Sequence, residues 1–341
     1  MKIKIKKRYI SAVVSLFLLY LVFQKMDFAQ ILAYLSKFNL KSLIFAVPLY
    51  FVGYILRAKR WRYLMLNLEQ LKDSTLMGIT FIGYAANCFM PARAGDFYRA
   101  HLAGSTFNIS RVSVVSSIFL ERILDGLVVL GFLLFLIIFL YHQPWLYSLA
   151  ISAGIAFCGL GAFIYWMIKF GNIEKLFLKM TIIFQKFGLP TKIIKMMRKG
   201  KKHIESFLNG FEVLNHPPLI FRAFALTAFT WAIEVVFLYV IINGFGVNLG
   251  LQAALFLLCL TVFSSMIPSL SVHTGPYQCA FILALSVFGV SKEMAIAMAF
   301  VTQSIIITFL AVSGVYYMCR YHYKLHQIQK EFEKEQEEMA V

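Results

Sequence analysis

The chain has 341 residues, of which 60% are hydrophobic and only 14% are charged. A water-soluble globular domain carries about a quarter charged residues, so this composition excludes the ordinary soluble class. The net charge is +17, but the lysines and arginines stand in short blocks between long apolar runs. Such a pattern is typical of membrane topology and of attraction to anionic lipids, and we expect no nucleic acid partner.

Apolar runs follow one another along the chain and are the predicted helices. In chain order they cover residues 9–23, 43–56, 76–90, 112–141, 146–168, 219–242, 251–267, 277–290 and 294–318. A spanning helix needs about 20 apolar residues, and the third, seventh and eighth runs are short and border proline and glycine. The first run follows a basic start and precedes no small-residue cleavage site, which predicts an uncleaved first helix.

The distribution of basic residues predicts which loops face the cytoplasm. Basic blocks lie at 2–8, 57–62, 169–202 and 320–324. Cytoplasmic loops carry an excess of Lys and Arg, whereas 142–145 has no basic residue and 244–293 has only Lys292. We therefore predict a multi-pass protein of the cell membrane whose N-terminus, central basic segment and C-terminus lie in the cytoplasm.

The number of crossings between these blocks predicts two hairpins. The stretch 63–111 begins and ends inside but contains an apolar run, so 76–108 is expected to enter and leave on the cytoplasmic face. By the same count, 251–290 enters and leaves on the outer face. We predict an all-α polytopic membrane protein, an inverted repeat of six spanning helices plus two re-entrant helical hairpins, a plan common in secondary transporters. The alternative is eight or nine plain spans, which would leave a basic block outside.

The predicted domains follow this repeat. The first membrane repeat covers 1–141, and the second covers 142–318. Within the second, the basic segment 169–218 is expected to lie on cytoplasmic headgroups as an amphipathic helical linker. Residues 319–341 are expected to form a charged cytoplasmic tail.

The tip of the first hairpin combines helix breakers with charged side chains. Its notable residues are Asn87, Pro91, Arg93, Gly95, Asp96 and Arg99. Proline removes a backbone donor and glycine permits unusual dihedral angles, so the helix is expected to break here. A broken helix with two arginines can bind the phosphate of a lipid headgroup. Alternatively, Arg93 and Arg99 anchor the hairpin at the cytoplasmic surface.

The helix after this hairpin carries three charged residues, Glu121, Arg122 and Asp125. Residues three or four apart share a helix face, and charges inside a span usually face the bundle interior with a partner. We expect them to pair with Arg93 or Arg99 and to hold the hairpin. The alternative is that one carboxylate couples proton or cation movement to transport.

Glu234 lies near the predicted midplane of its span. It follows Arg222 by 12 residues, or about 18 Å along a helix. A lone carboxylate at this depth is a functional candidate. Alternatively, it is a protonated or hydrogen-bonded acid packed against Trp231 or Tyr239.

The tip of the second hairpin again combines proline and glycine with polar residues. It includes Pro268, Ser271, His273, Gly275 and Gln278. His273 could bind an anion or relay protons, or it could make a local hydrogen bond. We include His273 and Gly275 in the predicted headgroup site.

Sequence motifs of soluble enzymes are absent. There is no nucleotide-binding loop, nucleophile elbow or metal-binding helix motif, and the five cysteines are scattered without ligand spacing. We therefore expect no catalytic residues, no metal and no cofactor.

The motif order resembles a known family, the flippase-like proteins related to the transmembrane region of lysylphosphatidylglycerol synthase. The family signature Asn-x3-Pro-x-Arg-x-Gly-acid-x2-Arg stands here as Asn87, Pro91, Arg93, Gly95, Asp96 and Arg99. Its Glu-Arg-x2-Asp segment stands as Glu121, Arg122 and Asp125. Near the C-terminus the family has Pro-x2-Pro-Gly-Gly-x-Gly-x2-Glu. Here Pro268 and Gly275 remain, while the other places hold Ser271, Val272, His273 and Gln278.

This resemblance implies translocation of an anionic or glycosylated lipid between membrane leaflets. Family members with a soluble aminoacyl-transferase domain also make the lipid, and we expect no such domain here because the chain ends 23 residues after its last apolar run. We expect a lipid flippase-like or scramblase-like protein rather than an enzyme. Its partners would be membrane lipids, with an anionic or polyprenyl-linked headgroup, and a separate lipid synthase or glycosyltransferase. The alternatives are a membrane lipid transferase with Asp96 or Glu121 as base, and a non-catalytic accessory subunit.

Overall fold

A computed structural model describes residues 20, 26–65, 73–90, 93–139, 144–170, 204–265, 267 and 274–320. Within these residues the regular structure is helical. The longer helices are α1 (Phe28–Ser36), α2 (Leu43–Leu64), α3 (Asp73–Phe89), α4 (Ala94–Phe107), α5 (Arg111–Phe139), α6 (Pro144–Phe170), α7 (Pro217–Gly244), α8 (Leu251–Ser264), α9 (Pro276–Ser286) and α10 (Lys292–Arg320).

Four of the described helices are long and apolar enough to cross a bilayer. They are Leu40–Leu64, Pro144–Lys169, Pro217–Gly244 and Lys292–Arg320, and they coincide with four of the six predicted spans. A fifth predicted span, 112–141, forms α5, which is as long as α10 but carries Glu121, Arg122 and Asp125 away from its ends. Of the run at 9–23, all residues except Tyr20 lie outside the described residues. The protein is therefore a multi-pass helical membrane protein.

Helix α2 continues beyond the apolar run that predicted it. The run at 43–56 is followed directly by the basic block, yet the helix ends only at Leu64. Arg57 and Arg60 are 7% and 0% exposed, whereas Lys59 is exposed. The two arginines therefore point into the bundle and have ion-pair partners there, which the charge pattern did not predict.

Each half of the chain contains one pair of shorter helices, α3–α4 in the first and α8–α9 in the second. Helix α4 has 14 residues, α8 has 14 and α9 has 11, which gives lengths of about 21, 21 and 16 Å at 1.5 Å per residue. The hydrocarbon core is about 30 Å thick, so none of these three helices reaches across it. The corners of both pairs include residues outside the described ranges, among them Pro91, Pro268 and His273.

Helix contacts repeat between the two halves of the chain. In the first half α2 packs on α3, α3 on α4, α4 on α5 and α2 on α5; in the second, α7 packs on α8, α8 on α9, α9 on α10 and α7 on α10. The halves also exchange contacts, since α10 packs on α3 and α5 packs on α8. Helices α2 and α7 form the most extensive contact between the halves.

The part of the predicted linker that the structure describes packs against the bundle. Phe211 and Val213 are 0% and 1% exposed and belong to an apolar cluster with Leu64, Leu120 and Ala223. Side chains within residues 204–215 are thus anchored to the bundle. The remainder of the linker, 171–203, and the tail after 320 lie outside the described residues.

Candidate functional site

A cavity of about 190 Å³ lies among helices from both halves. Five charged side chains line it: Arg57, Arg93, Arg122, Asp125 and Glu234. Three arginines against two carboxylates leave one excess positive charge on its wall. Inside an apolar bundle this charge is screened far less than it would be in water.

The rest of the cavity wall is aromatic and polar. Its aromatic members include Tyr54, Tyr84, Trp231 and Tyr277, and its neutral polar members include Ser265 and Gln303. Tyrosine and tryptophan offer an apolar face together with a hydrogen-bonding group. Such a lining can hold a polar headgroup while it excludes bulk water.

Arg93 joins the two short-helix pairs. It precedes α4 in a left-handed backbone conformation with φ 55° and ψ 35°. Its Nη2 donates to Ser265 Oγ at 2.8 Å, and Ser265 follows the last residue of α8. The predicted tip of the first hairpin therefore contacts the end of the first helix of the second pair.

Asn87, Gly95 and Asp96 hold the α3–α4 corner together. Asn87 Nδ2 donates to Asp96 Oδ1 at 3.1 Å. A Cβ added to Gly95 would lie 2.5 Å from Asn87 N and 2.6 Å from Asn87 Oδ1, distances that real side chains do not adopt. Only glycine permits the two helices to approach this closely at the corner. These three predicted site residues brace the position from which Arg93 projects.

Arg99 is placed in an ion pair rather than on the cavity wall. It is 1% exposed, its Nη2 donates to a Glu121 carboxylate oxygen, and its guanidinium lies 4.2 Å from the Trp61 ring centroid. The sequence prediction that Glu121 pairs with an arginine of the hairpin is confirmed for this residue. Arg99 thus ties α4 to α5.

Arg60 is the central residue of this network, and the sequence interpretation missed it. Its side chain donates to Glu121 at 3.2 Å, to Asp125 at 2.5 Å and to Thr227 Oγ1 at 3.2 Å. Trp231 Nε1 also donates to Asp125, at 3.0 Å. One buried guanidinium therefore connects α2, α5 and α7.

Arg122 lies between this network and the cavity. Its Nη1 is 3.4 Å from Asp125 Oδ2, and its Nη2 donates to the Tyr84 hydroxyl at 3.1 Å. Its side chain is 26% exposed, so part of the guanidinium faces the cavity. Arg122 can therefore contact a bound anion while Asp125 fixes its position.

Glu234 pairs with Arg57 across the α2–α7 interface. The Arg57 guanidinium lies 4.8 Å from the Tyr54 ring centroid and 5.2 Å from that of Trp231. The sequence interpretation considered Trp231 and Tyr239 as the neighbours of Glu234. The structure instead gives the carboxylate an arginine partner from the basic block at 57–62.

The second short-helix pair contributes neutral polar groups. His273 lies outside the described residues. Gly275 immediately precedes α9 and has φ 99°, a conformation that favours glycine. Gly275 N donates to Gln278 Oε1 at 2.7 Å, and Gln278 Nε2 donates to Gln303 Oε1 at 2.9 Å. Gln278 therefore fixes the start of α9 and joins it to α10. Within the described part of the chain, no group of three or more His, Cys, Asp or Glu side chains converges as metal ligands do.

These features define a helical membrane protein with an arginine-rich internal cavity. Residues 8–314 match the family described as Lysylphosphatidylglycerol synthase TM region. The chain belongs to this family, as the motif order predicted.

A curated relative shares part of the sequence. The chain is 31% identical over 106 residues to "Glycosyltransferase AglD" of Haloferax volcanii, and the match covers 31% of this chain and 17% of the relative. No solved structure matches the chain.

Proposed function

We propose that this protein moves an anionic phospholipid, or a polyprenyl-linked or glycosylated lipid, between membrane leaflets as a flippase or scramblase. The observation that carries the proposal is the positively charged cavity inside an apolar bundle. Charged residues at membrane depth are costly and mark substrate pathways. A lipid phosphate is the group that three arginines on one wall would attract, because guanidinium binds phosphate through parallel hydrogen bonds.

The repeated helix contacts support an inverted repeat for this transporter. Exchanging α2 with α7, α3 with α8, α4 with α9 and α5 with α10 turns the four contacts within one half into those within the other, and the α3–α10 contact into the α5–α8 contact. In this proposal the pairs α3–α4 and α8–α9 are re-entrant hairpins that meet at the cavity through Arg93 and Ser265. Six helices, including the run at 9–23, span the bilayer with both termini in the cytoplasm.

The arginines have different roles in the proposed site. Arg93 and Arg122 face the cavity and would bind the headgroup phosphate. Arg99, Glu121 and Asp125 support the site, because their ion pairs fix α4 and α5 around it. Asn87, Gly95 and Asp96 would keep the corner in shape, and Gly275 and His273 would belong to the opposite side of the pathway.

The named relative favours a link to glycosyl chemistry, and a transferase is the second candidate. A transferase would need a free carboxylate as base. Glu121 is 0% exposed and accepts from Arg60 and Arg99, which makes it a poor base. Asp96 accepts from Asn87 and is not among the residues that line the cavity, so it is poorly placed for the same role. We therefore favour a transporter that receives its lipid from a separate lipid synthase or glycosyltransferase.

The proposal is tested with purified protein in phosphatidylcholine liposomes that contain fluorescently labelled phosphatidylglycerol. The fraction of label that an impermeant quencher reaches over time reports movement between leaflets. We expect Arg93→Gln to lower the initial rate at least about tenfold, the effect of losing about 1.4 kcal/mol of interaction. Arg93→Lys should retain part of the rate, and Lys59→Gln, an exposed change on α2, should retain all of it.

Two results would count against the proposal. If empty and protein-containing liposomes expose label at the same rate, the protein does not move this lipid. If mass spectrometry of the recovered lipid shows a modified headgroup, the transferase is the better interpretation. An Arg93→Gln rate equal to that of the wild type would remove Arg93 from the site.

A further inference from the structure

The carboxylates around the cavity differ in how firmly they are held. Asp125 accepts hydrogen bonds from Arg60 and Trp231 and also pairs with Arg122. Glu234 has one hydrogen-bond donor among the described residues, Arg57. A carboxylate with a single partner is the easiest to displace.

Exposure separates the Arg57–Glu234 pair from the buried pairs behind the cavity. The side chains of Arg60 and Glu121 are both 0% exposed. Those of Arg57 and Glu234 are 8% and 18% exposed, and both line the cavity. An anion that enters the cavity can therefore reach Arg57, whereas it cannot reach Arg60.

The surroundings of Arg57 leave its guanidinium available to a second acceptor. The rings of Tyr54 and Trp231 lie against the guanidinium, and neither residue accepts a hydrogen bond from its N–H groups. A guanidinium has five such donors, enough for a carboxylate and a phosphate during an exchange.

We infer that Glu234 is an internal competitor for the headgroup, which the lipid phosphate displaces from Arg57 when it binds. The inference rests on the proposed function and adds Arg57 to the headgroup site. Arg57 stays neutralised throughout, because one anion replaces another. The displaced Glu234 carboxylate loses its partner and turns to the cavity, to which its side chain is already partly exposed. Since the pair joins α2 to α7, headgroup binding would also release one link between the two halves of the bundle.

Competition predicts that removal of the Glu234 charge strengthens anion binding. The assay uses the full chain in dodecyl maltoside, which contains no phosphate, titrated with dioctanoyl phosphatidylglycerol. Intrinsic fluorescence reports binding because Trp231 lines the cavity, and dioctanoylglycerol serves as the ligand without phosphate. We expect Glu234→Gln to lower the dissociation constant about tenfold, and Arg57→Gln combined with Glu234→Gln to abolish that gain. Glu293→Gln, in the first turn of α10, is the matched control and should not change binding.

A charge swap distinguishes competition from a structural role and guards against loss of folding in the single variant. Arg57→Glu combined with Glu234→Arg keeps an internal pair, so binding should stay within about threefold of the wild type, a change of about 0.65 kcal/mol. An unchanged dissociation constant in Glu234→Gln, with measurable wild-type binding, would overturn the inference and leave the proposed function standing. If the wild type does not bind the phosphate-bearing lipid, both fail.

Discussion

Replacement of Arg60 by methionine should destabilise the bundle more than the same replacement of any neighbouring basic residue of α2. Arg60 is fully buried and contacts two carboxylates and a hydroxyl on two other helices. Removal of one partner from a buried ion pair costs about 3–5 kcal/mol. Glu121 keeps Arg99 as a partner and Asp125 keeps Arg122, so we expect the lower end, about 3 kcal/mol.

The measurement is reversible unfolding in mixed micelles of dodecyl maltoside and increasing dodecyl sulfate, followed by intrinsic fluorescence. The matched control is Lys59→Met, which changes an exposed residue adjacent in the sequence and should alter stability by about 0.5 kcal/mol or less. Because Arg60 and Glu121 share an interaction, Arg60→Met combined with Glu121→Gln should destabilise less than the sum of the single changes. If Arg60→Met is no more destabilising than Lys59→Met, the network does not stabilise the fold.

Three further predictions concern the short-helix pairs. Gly95→Ala should destabilise the protein by more than about 1–3 kcal/mol, because the added Cβ would meet backbone atoms. The control is Gly131→Ala, whose Cβ would have nothing within 4 Å and which should be neutral or stabilising. Both are measured in a thermal melt, and equal effects would contradict the close approach of α3 and α4. Gln278→Ala should lower stability by about 1–3 kcal/mol by leaving buried partners unpaired, and an unchanged melting temperature would argue against the α9 cap. A single cysteine at Asn108, in an otherwise cysteine-free chain, should react with an impermeant maleimide only from the cytoplasmic face, and reaction in intact cells would refute the re-entrant topology.

Much of the helical architecture could be predicted from the positions of apolar runs and charged residues along the sequence. The long apolar runs predict α6, α7 and α10, and the ends of the runs lie within a few residues of the ends of the helices. The charged segment of α5 was also predicted to face the interior, since Glu121 and Asp125 lie one turn apart and need partners. Its pairing with Arg99 follows from that rule.

The interior positions of Arg57 and Arg60 do not follow from the order of apolar and basic residues along the chain; they follow from the helix face on which each residue lies. A basic block after an apolar run is usually a surface flank. However, Tyr54, Arg57, Arg60 and Trp61 fall on one face of an α-helix at 100° per residue, and Lys59 falls on the other. That aromatic face was the available signal that the two arginines are interior residues. Their partners on α5 and α7 depend on tertiary packing, which a single sequence does not specify.

The left-handed backbone at Arg93 has a consequence for attempts to make this protein more robust. A residue with a Cβ pays about 1–2 kcal/mol for that conformation, and glycine or asparagine adopts it more readily. Selection for heat resistance alone should therefore favour glycine or asparagine at position 93, which would remove the cation that faces the cavity. Thermostable forms obtained in this way would suit structure determination but would be unsuitable as templates for measuring lipid movement.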